Sequence, residues 1–142
     1  MTVYIEGYAS RFGLRDLNED VVVPGAFQPS LMSSGAGGVR MLYQHQLKSP
    51  IGVWDELGED ETGLFVRGRI LEFSPEARMV AAMVKSGVID GLSIGFRTQK
   101  SRKGQGGLRV LTQVELWEIS IVTFPMLPSA RITRIFEDAE AA

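Results

Sequence analysis

Gly91-Leu92-Ser93-Ile94-Gly95-Phe96-Arg97-Thr98 is the stretch on which the reading of this chain turns. Its first five residues satisfy G-x-S-x-G, the pattern of a nucleophile elbow, in which a serine sits on a sharp turn between a strand and a helix. No helix signal follows Ser93. Ile94, Phe96 and Thr98 alternate with other residues at the two-residue period of a strand, and all three are β-branched or aromatic. The elbow fold also places its histidine after the serine, whereas His45, the one histidine here, precedes it. The stretch is therefore predicted as a strand, with Leu92, Ile94 and Phe96 on one face and Ser93 and Gly95 on the other. Gly91 and Gly95 then leave space beside Ser93 for a peptide backbone to approach. A small residue at a crowded strand crossing would fit the same residues.

Working outward, Val3 to Ala9 alternates as a strand, Arg11 to Glu19 is a polar loop, and Val21 to Val23 is a short strand stopped by Pro24-Gly25. A helical turn or two is expected within Ala26 to Ser34, limited by Pro29 and ended by Gly35-Ala36-Gly37-Gly38. Val39 to Tyr43 resumes strand character just before His45. Ile51 to Leu57 and Leu64 to Leu71 form a hairpin around an acidic, glycine-bounded tip. The clearest helix starts at Ser74, a good N-cap, with Pro75 at the first helical position and Glu76 facing the positive end of the dipole. Met79, Val80, Met83 and Val84 give it an apolar face, and Gly87 a left-handed stop. Leu108 to Phe124 is a second long strand, joined to the serine strand by a basic, glycine-rich tip that reads as a solvated hairpin end. The stretch to Ile135 is open between strand and short helix. Together these predict a β-rich α+β domain over 1–136, a mostly antiparallel β-barrel with a few flanking helices, followed by a frayed tail over 137–142.

At 142 residues, 44% hydrophobic and 23% charged, the chain has the length and composition of one globular domain with its own core. A net charge of -2 argues against a dedicated nucleic-acid binder. The lack of cysteine removes disulfides, thiolate metal sites and cysteine nucleophiles together. With a single histidine, any metal site would have to be almost all carboxylate, so neither metal nor cofactor is expected. The N-terminus has no apolar stretch behind positive charge, and no run reaches the length of about 18 apolar residues needed for a membrane span. The protein is expected to be soluble and to stay where it is made.

Any Ser-His chemistry must use His45, whose imidazole can take the serine proton at neutral pH and return it to a leaving amine. A third group must hold the ring in the useful tautomer. Glu118 is the best candidate, on a strand face shared with Val114, Leu116, Ser120 and Val122. A carboxylate buried there without a partner would cost several kcal/mol. His45 and Arg131 are equal candidates for that partner. Asp16, Asp20 and Asp55 are weaker candidates for the third role, because each lies in or beside a polar loop. Oxyanion donors would come from backbone amides near Ile94 and Gly95, or from a turn near Ser129 to Arg131. A serine–lysine arrangement through Lys48 or Lys85 ranks lower, since Lys85 in the last turn of a helix is already explained by the dipole.

Four stretches in order resemble the prohead maturation proteases of tailed phages, whose barrel is similar to that of the herpesvirus capsid protease, assemblin. They are Val21-Val22-Val23-Pro24-Gly25-Ala26-Phe27, His45 followed by Pro50-Ile51-Gly52, Gly91-Leu92-Ser93-Ile94-Gly95-Phe96, and Trp117-Glu118-Ile119-Ser120-Ile121-Val122-Thr123-Phe124-Pro125. The pattern thins at Pro125-Met126-Leu127-Pro128. The resemblance implies a serine endopeptidase with Ser93 as nucleophile, His45 as general base and Glu118 orienting the histidine, where assemblins place a second histidine. It further implies the scaffold, or the scaffolding segment of the major capsid protein, as substrate, with self-cleavage, inside the assembling prohead in the host cytoplasm. A homodimer is expected from the herpesvirus relatives, and neither nucleic acid nor membrane as partner. The alternative from another class is a non-catalytic capsid-assembly barrel that binds scaffold strands.

Overall fold

In the computed structural model, which describes residues 2–137, the chain runs β1 (Val3–Arg11), β2 (Asp20–Val22), α1 (Gln28–Ser34), β3 (Arg40–Tyr43), β4 (Pro50–Glu59), β5 (Gly63–Ile70), α2 (Pro75–Lys85), β6 (Gly91–Lys103), β7 (Arg109–Val122) and β8 (Ile132–Glu137). The alternating segments became strands where they were expected. The ambiguous stretch before Ile135 resolved into turns followed by β8. Glu137, expected at the start of a frayed tail, is instead the last residue of β8, opposite Val3 and paired with Lys85 at 3.4 Å. The rest of that tail, 138–142, lies outside the described residues.

Among the described residues, all eight strands join one sheet, in the order β2-β7-β3-β4-β5-β1-β8 with β6 also on β7. The expectation of a mostly antiparallel barrel needs correcting on two points. First, β2 and β3 both run parallel to β7, so the sheet is mixed. The cause is the path between them: with α1 between the two short strands, the chain advances along one edge of β7, so both strands run in its direction. Between them the helical segment itself covers that edge, where Val114 N–H donates to the Ala26 carbonyl at 3.1 Å and Leu116 N–H to Ser30 Oγ at 2.9 Å. Second, the sheet curls but does not close through a continuous ladder. Among the described residues, an isolated bridge between Gly91 and Arg131 links the start of β6 to the approach to β8.

Inside the curl lie Ile5, Phe27, Met41, Ile51, Leu64, Ile70, Leu92 and Ile119, each essentially inaccessible. α2 closes one end. Ser74 Oγ accepts from Ala77 N–H at 3.1 Å and Gly87 sits at φ 75°, so both ends of that helix are as its sequence implies. Such a cap contributes about 1 kcal/mol. Of the predicted apolar face, Val80 and Val84 point inward and Met83 packs partly buried against the core, but Met79 is largely exposed and Ala77 and Ala81 complete the buried face.

β7 is the organising strand. From Glu118 to Val122 it is buried on both faces, with β3 on one edge and β6 on the other. A carboxylate and a hydroxyl therefore enter the interior on one strand, and both need partners there.

Candidate active site

β3 ends with Leu42 and Tyr43 alongside Ser120 and Ile121 of β7. The chain then leaves through two consecutive residues in the left-handed region, Gln44 at φ 55° and His45 at φ 60°. Neither is glycine, so each carries strain of about 1–2 kcal/mol that local contacts must offset. Those contacts come from β7 and the residue that follows it. Gln44 N–H donates to the Ile121 carbonyl at 3.0 Å, Gln44 Nε2 donates to Thr123 Oγ1 at 2.7 Å, and Gln44 Oε1 accepts from Thr123 N–H at 3.1 Å. His45 N–H donates to Ser120 Oγ at 3.0 Å. Side chains thus continue the parallel pairing past the end of β3 and hold the histidine against β7.

His45 Nδ1 lies 2.5 Å from Glu118 Oε2, and Glu118 Oε1 accepts from Ser120 Oγ at 2.7 Å. Both carboxylate oxygens are therefore engaged, and the partner of Glu118 is the imidazole. Arg131, the other candidate partner, is held elsewhere, donating through Nη1 to Asp90 at 2.8 Å and through Nε to the Pro128 carbonyl at 2.9 Å. With Nδ1 occupied, Nε2 is the ring nitrogen left for proton transfer.

The antiparallel register of β6 on β7 sets Ser93 opposite Ser120 and Gly95 opposite Glu118. A Cβ on Gly95 would lie 2.0 Å from Glu118 Oε2, so the carboxylate occupies the volume that any side chain at 95 would need. The G-x-S-x-G match thus has a physical basis here, different from an elbow: its last glycine makes room for the carboxylate that meets the imidazole of His45.

Ser93 is 4% exposed, and with His45 it lines a cleft of about 110 Å³. Ile94, Phe96, Asp16 and Met126 form part of its walls. A larger groove of about 450 Å³ between α1 and the middle of β7 holds none of the candidate residues; Ser93 and His45 both line the smaller cleft. Asp16 and Asp20 line the same cleft, but the carboxylate on the imidazole is that of Glu118. Asp16 accepts from the N–H groups of Asn18 and Asp20, and burial holds its carboxyl above the ordinary carboxylate range despite those bonds. Asp20 takes a two-point contact from Arg109, and Asp55 from Arg69 on the neighbouring strand. Neither Lys48 nor Lys85 lines the cleft.

Sequence reasoning passed over Ser120 and Gln44. The signal for Ser120 was a lone hydroxyl inside the aliphatic run Ile119-Ser120-Ile121-Val122. A polar group buried in such a run has a partner, and its position two residues from Glu118 puts that partner on the same face. Among the described residues no group of histidine and carboxylate side chains could hold a metal ion, and no helix is long and apolar enough to cross a membrane.

The chain is 37% identical over 131 residues to the prohead protease of Enterobacteria phage HK97; the match covers 89% of this chain and 57% of that protein. It thus spans little more than half the length of that relative. Among solved structures it is similar to the bacteriophage T4 capsid assembly protease, at 14% identity and TM-score 0.68, covering 84% of this chain and 80% of that one. It is also similar to KSHV protease, at 12% identity and TM-score 0.65, covering 99% and 68%. At these identities the structural likeness is one of fold. The sequence family described as caudovirus prohead serine protease matches residues 1–142, and this chain belongs to that family.

Proposed function

We propose that the chain is the catalytic domain of a serine endopeptidase acting in prohead maturation, with Ser93 as nucleophile, His45 as general base and Glu118 as the group that orients His45. The observation that carries this reading is the convergence of Ser93 and His45 on one cleft while Glu118 holds the far side of the imidazole. In the first step Ser93 Oγ adds to the scissile carbonyl as its proton passes to His45 Nε2, and the Nδ1–H stays on the ring beside Glu118. The peptide C–N bond then breaks as the amine takes that proton, leaving an acyl ester on Ser93. Water, deprotonated by the same nitrogen, hydrolyses the ester and returns the serine. Main-chain amides beside Ser93, Ile94 first among them, supply donors to the oxyanion. The guanidinium of Arg131 is not among them, being engaged by Asp90 and Pro128.

The substrate follows from membership of the prohead protease family: the scaffold or the scaffolding segment of the capsid protein, and the enzyme's own chain, cleaved inside the assembling particle. A barrel kept only to bind scaffold strands would have no use for a histidine in a strained conformation with a carboxylate fixed behind it. Backbone strain kept at a chemically competent group is a mark of function.

Treatment with a fluorophosphonate tests the assignment, since the phosphorus is attacked by the activated serine with loss of fluoride. We expect a single adduct that peptide mass spectrometry maps to Ser93. A folded protein that takes no label, or takes it on another serine, rejects the reading.

The role of Gly95 leads to a second expected result. In Gly95→Ala the new methyl would come within 3.0 Å of Oε2, Cδ and Cγ of Glu118, so the carboxylate must leave its place. Cleavage by the folded variant is expected to fall by about 10²-fold or more as the imidazole loses its fixed partner, and the melting temperature to drop as the Ser120 hydroxyl loses its buried acceptor. Native cleavage by the folded variant would mean that Gly95 matters only for packing.

A further inference from the structure

We propose that Ser120 is a positioning residue of this site, the atom through which the base and its carboxylate are held in one geometry. The inference rests on the peptidase reading. Ser120 Oγ makes two bonds at once. It accepts from the backbone N–H of His45 at 3.0 Å and donates to Glu118 Oε1 at 2.7 Å. The histidine's backbone and the carboxylate that meets the histidine's ring are thus tied to a single oxygen. That oxygen is fully buried on the most enclosed part of β7, directly opposite Ser93 in the ladder.

The geometry has a consequence for each partner. Glu118 reaches its place over Gly95, which has no side chain to stop rotation of the carboxylate about its last side-chain bond. With Oε1 fixed by Ser120, Oε2 is left pointing at Nδ1. His45, at φ 60°, would relax from its left-handed conformation without an acceptor for its N–H. One hydroxyl therefore restrains the carboxylate by donating and the histidine by accepting. Its job is to set an orientation, and it touches no reacting atom.

A thermodynamic cycle separates this role from simple packing. Ser120→Ala is expected to lower kcat by about 10- to 10²-fold, the range for a lost hydrogen bond to a charged group, with KM changed by less than about twofold. In a Glu118→Gln background the same change should cost no more than about twofold, because the carboxylate through which Ser120 acts is already gone. Ser120→Cys, with a weaker donor of similar shape, should fall between Ser and Ala. Independently of turnover, proton NMR should show the downfield His45 Nδ1–H resonance of the native protein moving upfield or broadening in Ser120→Ala. Native activity in Ser120→Ala, an effect that multiplies in full with Glu118→Gln, or an unmoved Nδ1–H resonance would each overturn the proposal. An active, labelled native enzyme with an indifferent Ser120 would leave the peptidase reading standing; a native enzyme whose Ser93 takes no label would remove that reading and this one together.

Discussion

Ser93→Ala is expected to lower cleavage of a capsid or scaffold precursor by about 10⁶-fold, with no loss of thermal stability. The first half follows from the division of labour in the cleft. In the proposed mechanism His45 and Glu118 only move and steady a proton, so without an alcohol to attack the carbonyl there is no acyl intermediate, and what survives is the contribution of binding and of the oxyanion donors. The second half follows from where Ser93 sits. Its backbone is held by the β6 and β7 ladder, which the substitution leaves intact, and its neighbours across and along the strand are Ser120, Gly91 and Gly95. Replacing one hydroxyl by hydrogen there alters stability by less than about 1 kcal/mol and can raise it, since a buried polar atom is removed. Accumulation of uncut precursor by the variant, with an unchanged melting curve, is the expected result; cleavage near the native rate would show that another group attacks.

That Ser93 lies on a strand was legible from residues close to it. Ile94, Phe96 and Thr98 carry the period of a strand, and no cap or helical spacing follows, so an elbow could be rejected locally. The ends of α2 were legible for the same reason, because Ser74, Pro75 and Gly87 act within one turn of where they stand. Its buried face was legible in part. Periodicity placed Val80, Met83 and Val84 against the core, but it also favoured Met79, which is exposed, and missed Ala77 and Ala81. Alanine is ambiguous in a sequence because it suits both a core and an exposed helix.

Nonlocal pairing was the other limit. Nothing within Val21-Val22-Val23 or Val39 to Tyr43 says which strand it will meet or in which direction, so the parallel contacts with β7 and the open ring had to come from the structure. The partner of Glu118 had the same character. Burial required a cation or donor near it, but His45 and Arg131 met that need equally on paper. What decided between them was the turn at Gln44, whose left-handed backbone carries no signature in a glutamine-histidine pair. Asp90, which takes Arg131 out of the competition, attracted no notice in the sequence for want of any pattern around it.

Glu118→Gln should lower kcat by about 10⁴-fold while leaving KM and the fold nearly as they are, and it is the sharper test of how the site is wired. The two side chains are almost the same size, so the introduced glutamine can occupy the space above Gly95. Its amide has two orientations. In one, the oxygen stays toward Ser120 and the NH₂ faces His45 Nδ1, which must then accept; the ring proton moves to Nε2, and that nitrogen can no longer take the proton of Ser93. In the other, the oxygen faces Nδ1 and the useful tautomer survives. The NH₂ would then press on the Ser120 hydroxyl, whose hydrogen loses its acceptor in a fully buried place, at a cost of about 1–3 kcal/mol. The first orientation is therefore favoured, and with it the inactive tautomer; that preference supplies about 10- to 10²-fold of the loss, and the missing negative charge beside the imidazolium supplies the rest. Removing Ser120's hydroxyl in the same chain frees the amide to turn, so the double variant Glu118→Gln with Ser120→Ala should be no worse than Glu118→Gln alone. Nitrogen chemical shifts of His45 report the tautomer directly: the hydrogen is expected on Nδ1 in the native enzyme and on Nε2 in Glu118→Gln. A variant that keeps both the native tautomer and the native kcat would mean that the carboxylate does not orient the base.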